Sequence, residues 1–237
     1  MMENKISKRL QTIATYITPG TLFADIGSDH AYLPCYVCLR DENAQAIAGE
    51  VKEGPYLKAN STVQAYGLDK RVDVRFGDGL DVIHDYDAVK EIVIAGMGGS
   101  LINQIIEKGK EKLQTVNRMI LQPNNQADQV RKNLLKTTFS LVDEEIIKEN
   151  EQIYEILIAQ KNAPLTIYND DVELEKQIMF GPVLMKRKSP VFKQKWQSEH
   201  TKLTKVVQQI KSANNQKYKS KLDLLKQQIQ WIEEVLT

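Results

Sequence analysis

The chain has 237 residues, of which 42% are hydrophobic and 27% charged. This is the balance of a soluble globular protein with one sizeable core and room for a smaller appended domain. Apolar runs all fall short of the roughly 18–20 residues that a membrane span needs, and residues 1–10 are too polar for a secretory signal. Two cysteines are typical of a reducing compartment, so we expect a cytoplasmic protein without membrane contacts.

The net charge is only +1, but the basic residues are unevenly distributed. Residues 183–226 hold 12 Lys and Arg against 2 acids, whereas residues 1–182 hold 20 against 27. A basic C-terminal arm on an acidic body is expected to bind a polyanion. Alternatively, the lysines only solvate a helical surface.

Apolar periodicity divides the first part of the chain into alternating helices and strands. Helices are predicted over residues 3–17, 32–39, 55–66, 101–113 and 127–137, and strands over 22–26, 44–49, 72–76, 91–95 and 118–121. This alternation predicts an α/β fold with a doubly wound, mostly parallel sheet. Two further strands, 139–147 and 153–159, follow each other without a helix and should pair as a hairpin.

After residue 162 the pattern changes, which predicts a first domain over residues 1–162 and a helical domain over residues 163–237. A short helix over 172–179 precedes a break at Gly181-Pro182. From Val191, two heptad-like seams, interrupted at Asn214-Asn215, predict an antiparallel coiled coil with an apolar core. The seam residues are Phe192, Trp196, Leu203, Val206 and Ile210, then Leu222, Leu225, Ile229, Ile232 and Leu236.

The most informative segment is 21–33, which reads as a buried strand, a tight turn at Gly27 and a helix. A glycine turn lets the backbone approach a ligand, and the helix N-terminus offers free amides. Asp25 lies at the carboxyl end of the buried strand. A carboxylate there is costly unless it is paired or faces a ligand.

Polar and glycine-rich positions follow the neighbouring strands as well. Glu50 stands about 20 residues past the Gly27 turn, where nucleotide-binding α/β folds place an acid that binds ribose hydroxyls; alone, it is also compatible with an ordinary acid at a strand end. Asp78 could bind an adenine amino group or form an Asx-turn. The three glycines of segment 96–99 leave the backbone there accessible to a ligand. We expect a ligand at this shared edge of the sheet.

Five segments together carry a longer pattern: D-I-G-S-D-H-A-Y-L-P at 25–34, A-G-E at 48–50, G-D-G-L at 77–80, I-A-G-M-G-G at 94–99 and L-Q-P-N at 121–124. In these segments, and over its whole length, the chain resembles the bacterial TrmK family. Members methylate N1 of adenine 22 of tRNA with S-adenosylmethionine. The resemblance implies a class I methyltransferase domain, with a seven-stranded Rossmann-like sheet whose last strand is antiparallel.

The resemblance also implies where S-adenosylmethionine binds. The methionine end and sulfonium would be surrounded by Asp25, Gly27, Ser28 and His30. The ribose would meet Glu50, the adenine would meet Asp78 and Gly79, and the methyl group would lie over Gly96 and Met97. The first turn has a single glycine, Gly27, which disfavours a dinucleotide and therefore a nicotinamide-dependent oxidoreductase.

Methylation at N1 places few demands on the protein. N1 of neutral adenine carries an in-plane lone pair, so catalysis is mainly alignment, assisted by a carboxylate that stabilises the positive charge developing on the ring. We assign that role to Asp29; alternatively, Asp29 caps the helix that starts near His30. His30 is expected to hydrogen-bond near the cofactor rather than to act as a base.

Candidate substrate contacts lie in both predicted domains. Gln122 and Asn124 could read the edge of the target adenine through their amides, and Tyr32 could stack on the base once it has left its stack. The basic residues expected to bind tRNA phosphates are Lys186, Arg187, Lys188, Lys193 and Lys195. Methylases of exocyclic amines typically carry an Asn/Asp-Pro-Pro-aromatic motif after the fourth strand; segment 96–99 stands there instead, which favours attack by a ring nitrogen.

Other interpretations remain open from the sequence. Cys35 and Cys38 form a C-x-x-C without a second pair, so we expect a buried helix face rather than a zinc site, and no metal. The chain could methylate another RNA position or a non-RNA substrate, or bind RNA without catalysis. We expect a monomer.

Overall fold

A computed structural model of the chain describes residues 6–212 and 219–237. Residues 3–5 of the first predicted helix and the predicted interruption at Asn214-Asn215 lie outside these ranges. The chain divides into two compact units, Met1–Tyr168 and Asn169–Thr237. Two separate domains over 1–162 and 163–237 stay a prediction.

The first unit is built on seven strands: β1 (Leu22–Ile26), β2 (Gln45–Glu50), β3 (Val72–Phe76), β4 (Glu91–Gly98), β5 (Arg118–Asn125), β6 (Phe139–Glu149) and β7 (Gln152–Lys161). They form one sheet in the order β3-β2-β1-β4-β5-β7-β6. The first five strands pair in parallel, and β7 runs antiparallel to both of its neighbours. The predicted doubly wound sheet and its terminal hairpin are confirmed.

Five α-helices connect or precede these strands: α1 (Lys8–Ala14), α2 (Tyr32–Arg40), α3 (Glu53–Ala65), α4 (Gly99–Lys108) and α5 (Ala127–Leu134). Helix α1 is shorter than predicted because the Ser7 hydroxyl caps it, accepting from the Leu10 amide at 3.2 Å. The predicted helix 101–113 ends at Lys108, and a separate 3-10 turn covers Lys110–Leu113, since Gly109 interrupts it.

Apolar side chains cover both faces of the sheet. Successive residues of β4 alternate between two buried clusters: Ile92 and Ile94 pack with α4 and α5, whereas Val93 packs with α1, α2 and α3. This period of two explains the continuous apolar run in β4, because a strand covered by helices on both faces has no solvent side.

Strand β5 is longer than predicted. The sequence suggested that Gln122-Pro123-Asn124 closes the strand, yet pairing with β4 continues to Asn125. Pairing with β7 stops at Leu121, so β5 is an edge strand at the level of Pro123. A proline, which lacks an N–H, is tolerated in such a position. The extension includes Gln122 and Asn124, although the register with β4 shifts between Ala95 and Gly98.

Over residues 169–212 and 219–237, the second unit forms four helices: α6 (Leu174–Phe180), α7 (Pro182–Arg187), α8 (Pro190–Ser212) and α9 (Lys219–Leu236). The predicted break at Gly181-Pro182 also begins a helix, α7, which the sequence analysis missed. Pro182 occupies a first-turn position there, where proline is favoured.

Helices α8 and α9 pack as an antiparallel pair. His200, near the middle of α8, lies 2.9 Å from the carboxylate of Glu233, near the end of α9. The predicted seam residues Phe192, Trp196, Leu225 and Ile232 are buried, together with two residues that were not predicted, Val207 and Val235. Among the helices of 6–212 and 219–237, none is long and apolar enough to cross a membrane.

Candidate active site

The carboxyl ends of β1, β2 and β3 are held together by backbone hydrogen bonds. Gly27 turns the chain after β1 with φ +70°, and its amide and that of Ser28 donate to the Gly49 carbonyl, at 2.9 and 3.1 Å. The Gly77 amide donates to the Glu50 carbonyl at 2.8 Å. The predicted positions after these three strands therefore share one edge of the sheet.

The turn after Gly27 is strained. Asp29, His30 and Ala31 have φ of +44°, +73° and +57°, a conformation that costs roughly 1–3 kcal/mol per non-glycine residue and concentrates at functional sites. Helix α2 begins only at Tyr32, with Ala31 as its N-cap and no side-chain cap. The alternative role of Asp29 as a helix cap is therefore wrong, and its carboxylate is 85% exposed at the rim.

Asp25 is a buried acid below this turn. Its carboxylate accepts a hydrogen bond from the Ser28 hydroxyl at 2.6 Å. Burial raises the pKa of Asp25 to about 7, an effect that the Ser28 bond opposes and that the nearby Glu50 reinforces. A partly protonated carboxyl at neutral pH is a group that a bound cation would ionise.

Two buried polar atoms beside Asp25 have no partner among the residues that the structure describes. They are Oε1 of Glu50 and Nδ1 of His30. Burial also raises the pKa of Glu50, although the backbone amides of Asp29 and His30 oppose it. Buried polar groups are almost always hydrogen-bonded, so these two atoms indicate a polar ligand at the ends of β1 and β2.

The glycine-rich segment after β4 meets the β1 turn. A Cβ at Gly27 would lie 2.3 Å from Cε of Met97, so a side chain at position 27 would displace Met97. Gly96 has φ +76°, and side chains of β5 hydrogen-bond both its amide and its carbonyl. Its amide donates to Oε1 of Gln122 at 3.1 Å, and its carbonyl accepts from Nδ2 of Asn124 at 2.7 Å.

Arg9 lies under the same segment, a contact that the sequence analysis missed. Its guanidinium donates to Oε1 of Gln122 and stands 5.3 Å from the ring centroid of Tyr154. Gln122 is fully buried, and its side-chain amide is hydrogen-bonded to Arg9, Gly96 and Asn124. Arg9 carried no signal in the sequence because a basic residue on an amphipathic helix usually faces solvent.

Asp78 and Gly79 lie after β3, but Asp78 is engaged. Its carboxylate accepts from Lys108 Nζ at 2.7 Å, and Gly79 begins a 3-10 helix with φ +57°. The alternative Asx-turn is not formed, because the Asp78 side chain makes no cap hydrogen bond. An adenine contact by Asp78 stays a prediction, and it requires Lys108 to share or release this carboxylate.

Two further predicted features lie in α2. Tyr32 is half-buried and packs edge-on against the His30 ring at 5.6 Å between centroids. Cys35 and Cys38 are free and fully buried, and burial raises the pKa of their thiols to about 12 and about 11. Both thiols therefore stay protonated as core side chains, consistent with the predicted buried helix face. The five predicted phosphate-binding residues, 186–188, Lys193 and Lys195, lie in the second unit.

The fold and the site define a class of protein. The strands of the sheet follow the order β3-β2-β1-β4-β5-β7-β6, with β7 antiparallel, and buried acids lie at the carboxyl ends of β1 and β2. This is the architecture of class I methyltransferases. Residues 23–234 match the model of the TrmK family, tRNA (adenine(22)-N(1))-methyltransferase. The chain belongs to this family.

Individual relatives agree with this assignment. A tRNA (adenine(22)-N(1))-methyltransferase of Bacillus subtilis is 44% identical over 237 residues, covering 100% of this chain and 99% of the relative. The crystal structure of the B. subtilis m1A22 tRNA methyltransferase TrmK superposes with a TM-score of 0.91 at 42% identity, over 98% of this chain and 99% of that one. Streptococcus pneumoniae Sp1610, solved in complex with S-adenosyl-L-methionine, gives a TM-score of 0.86 at 41% identity, over 98% and 100%.

Proposed function

We propose that this chain transfers a methyl group from S-adenosylmethionine to N1 of adenine 22 in tRNA. The observation that carries the proposal is the full-length match to the B. subtilis tRNA (adenine(22)-N(1))-methyltransferase. The site residues described above supply the chemistry that such an activity requires.

The residues at the strand ends fit S-adenosylmethionine. Asp25 is a buried acid with a pKa near 7, suited to bind the ammonium of the methionine end, with Ser28 and His30 beside it. The unpartnered Oε1 of Glu50 can accept from the ribose hydroxyls. Bare backbone at Gly27 and Gly96 permits close approach. When bound, S-adenosylmethionine supplies an electrophilic methyl group on a sulfonium.

The rest of the cofactor would lie along the neighbouring strand ends. We assign the adenine end to Asp78 and Gly79, and the floor beneath the reacting methyl to Gly96 and Met97. Met97 is already in contact with the Gly27 turn, so one side chain links the two segments that flank the sulfonium.

The protein's catalytic work is alignment and charge stabilisation. N1 of adenine has a free lone pair and needs no base. Orientation of the target ring can supply up to roughly 7–11 kcal/mol in ideal cases, and Tyr32 offers an aromatic face against which to hold it. Asp29, exposed on a strained turn, stabilises the positive charge that develops on the ring.

The second unit supplies phosphate contacts. Lys186 and Arg187 end α7, and Lys188 follows with φ +42°. Lys193 lies on the first turns of α8, and Lys195 stands with its Nζ 4.7 Å from the Trp196 ring centroid. Each phosphate contact releases counterions, so tRNA affinity should fall steeply with salt.

We also propose that the chain acts as a cytoplasmic monomer. The apolar seams of α8 and α9 pack against each other within one chain, so they require no second copy. The free, buried thiols of Cys35 and Cys38 suit a reducing compartment. Analytical ultracentrifugation across a range of protein concentrations tests the oligomeric state; a concentration-dependent dimer would contradict it.

Methyl transfer from labelled S-adenosylmethionine tests the activity. The substrate is an unmodified tRNA transcript with adenine at position 22, and the control is the same transcript with guanine there. We expect label only in the first. Label in both would retain a methyltransferase but reject the position, and label in neither, with cofactor binding intact, would reject the substrate.

A further inference from the structure

A closed set of hydrogen bonds joins Arg9, Gln122, Asn124 and Gly96, and Arg9 and the Gly96 backbone together fix its direction. Oε1 of Gln122 accepts from the Arg9 guanidinium and from the Gly96 amide. Both groups are obligate donors, so the atom that faces them must be the oxygen. Gln122 Nε2 therefore points away from Arg9, whichever way an amide would otherwise be assigned.

The direction passes on to Asn124. Gln122 Nε2 donates to Asn124 Oδ1 at 3.3 Å, and Asn124 Nδ2 donates to the Gly96 carbonyl at 2.7 Å. Since Nε2 can only donate and a carbonyl can only accept, the Asn124 amide has one permitted orientation. Arg9, which stands against the Tyr154 ring, and the backbone of Gly96 together determine which atoms of Asn124 are presented to solvent.

Asn124 keeps unused hydrogen-bonding capacity. Its side chain is exposed, and within residues 6–212 and 219–237 it forms only the two bonds above. One Oδ1 lone pair and one Nδ2 hydrogen remain. This acceptor–donor pair is complementary to adenine N6–H and N7, which an asparagine binds in bidentate fashion. Such binding leaves N1 uncovered. With guanine, in contrast, two acceptors would face each other, O6 of the base and Oδ1 of Asn124.

We propose that Asn124 selects adenine through N6 and N7, and that Arg9, together with the backbone of Gly96, is the positioning residue that holds its amide in the adenine-reading orientation. The inference rests on the proposed function and deepens it, because it names how the target base is recognised. Arg9 acts through Gln122.

The test compares tRNA carrying adenine at position 22 with the same tRNA carrying 7-deazaadenine, in which a C–H replaces N7. For the wild type, we expect kcat/KM to fall roughly tenfold on the 7-deaza tRNA, the size of a lost base contact. In Arg9→Met the activity on adenine falls, and the 7-deaza penalty shrinks from roughly tenfold to about fivefold or less, because the Gly96 amide alone then holds the Gln122 oxygen. Arg9→Lys, which keeps a donor, restores part of the penalty.

Two further variants separate positioning from folding and charge. Gln122→Glu keeps an acceptor for Arg9 and Gly96 but removes the Nε2 donor, so it should also lose the 7-deaza penalty. This variant tests the proposal even if Arg9→Met does not fold. Lys8→Met removes a neighbouring positive charge on an exposed side chain and should keep the full penalty. Because Arg9 lowers the pKa of Asp25, calorimetric affinity for S-adenosylmethionine is compared at pH 8.5, above that pKa, where it should stay near the wild-type value in all folded variants.

The outcomes distinguish the two levels of the account. A wild type that binds cofactor but is inactive on adenine 22 overturns the proposed function and this inference with it. An active wild type without a 7-deaza penalty overturns the role of Asn124. A full penalty retained in folded Arg9→Met, or in Gln122→Glu, overturns the role of Arg9 alone.

Discussion

Replacing the buried acid Asp25 by asparagine should stabilise the protein while weakening cofactor binding. Asparagine has the same shape, and its Oδ1 can still accept from the Ser28 hydroxyl. A carboxyl whose pKa rises from 3.8 to about 7 on folding costs the folded state about 4 kcal/mol once the pH exceeds 7, at roughly 1.4 kcal/mol per pH unit.

The sign follows from proton linkage. Well below pH 3.8 the Asp25 carboxyl is protonated in both the folded and the unfolded states, so the cost is absent. It grows as the pH rises from about 4 to 7, because only the unfolded state ionises freely there. Between pH 5 and pH 8 the stability advantage of Asp25→Asn should therefore grow by about 3 kcal/mol, or roughly 6–12 °C in Tm for a chain of this size.

Cofactor binding supplies the second readout. The ammonium of S-adenosylmethionine favours ionised Asp25, so wild-type affinity should weaken as the pH falls below about 7. Asp25→Asn should bind roughly 10- to 100-fold more weakly at pH 8, the size of a lost charge-assisted hydrogen bond, and without that pH dependence. Thermal melts and calorimetric titrations from pH 5 to 8.5 measure both. Parallel Tm profiles and a flat wild-type affinity would refute the reasoning.

Three further predictions concern the turn, the rim and the basic arm. Gly27→Ala should abolish detectable methyl transfer and lower stability by about 1 kcal/mol or more, because the new Cβ meets Met97 and the φ is left-handed; melts and activity assays measure this. Asp29→Ala should lose most turnover yet keep cofactor affinity, as read by kcat and calorimetry. Charge reversal to Glu across residues 186–188 should weaken tRNA binding at least tenfold and flatten its salt dependence, with cofactor affinity unchanged.

Two of these predictions have a matched control. Gly54→Ala, where no atom lies within 4 Å of the new Cβ, should keep activity; equal losses in both variants would mean that the Gly27 contact is unimportant. Reversal of three exposed lysines at 70, 110 and 132 in the first unit should spare tRNA affinity, and an equal loss there would point to non-specific charge. For Asp29→Ala, loss of cofactor binding would move Asp29 to the cofactor site.

The parts of the fold that were predictable are those that local chemistry determines. The buried run of β1, the Gly27 turn and the heptad seams each follow from side-chain periodicity or from a glycine that the backbone requires. Because the carboxyl ends of parallel strands share an edge, Asp25 and Glu50 could be assigned to one site before any coordinates were known.

The missed features depend on contacts between segments far apart in the chain. The left-handed run 29–31 covers three consecutive residues, whereas the residue types give only the weak sign that Asp and His tolerate this conformation. Arg9 contacts Gln122 across more than a hundred residues, and Lys108 reaches Asp78 only once α4 has packed. Pro123 continues a strand because β7 no longer pairs with β5 beyond Leu121, a fact of sheet register that local propensity cannot express.

The most direct test of the account is to identify the methylated atom. A transcript treated with this enzyme and S-adenosylmethionine is digested and analysed by mass spectrometry, and the position is mapped by reverse transcription, which a methyl on the pairing edge at N1 blocks. The account predicts 1-methyladenosine at position 22 alone. A methyl on the exocyclic amine, or at any other nucleotide, would contradict it.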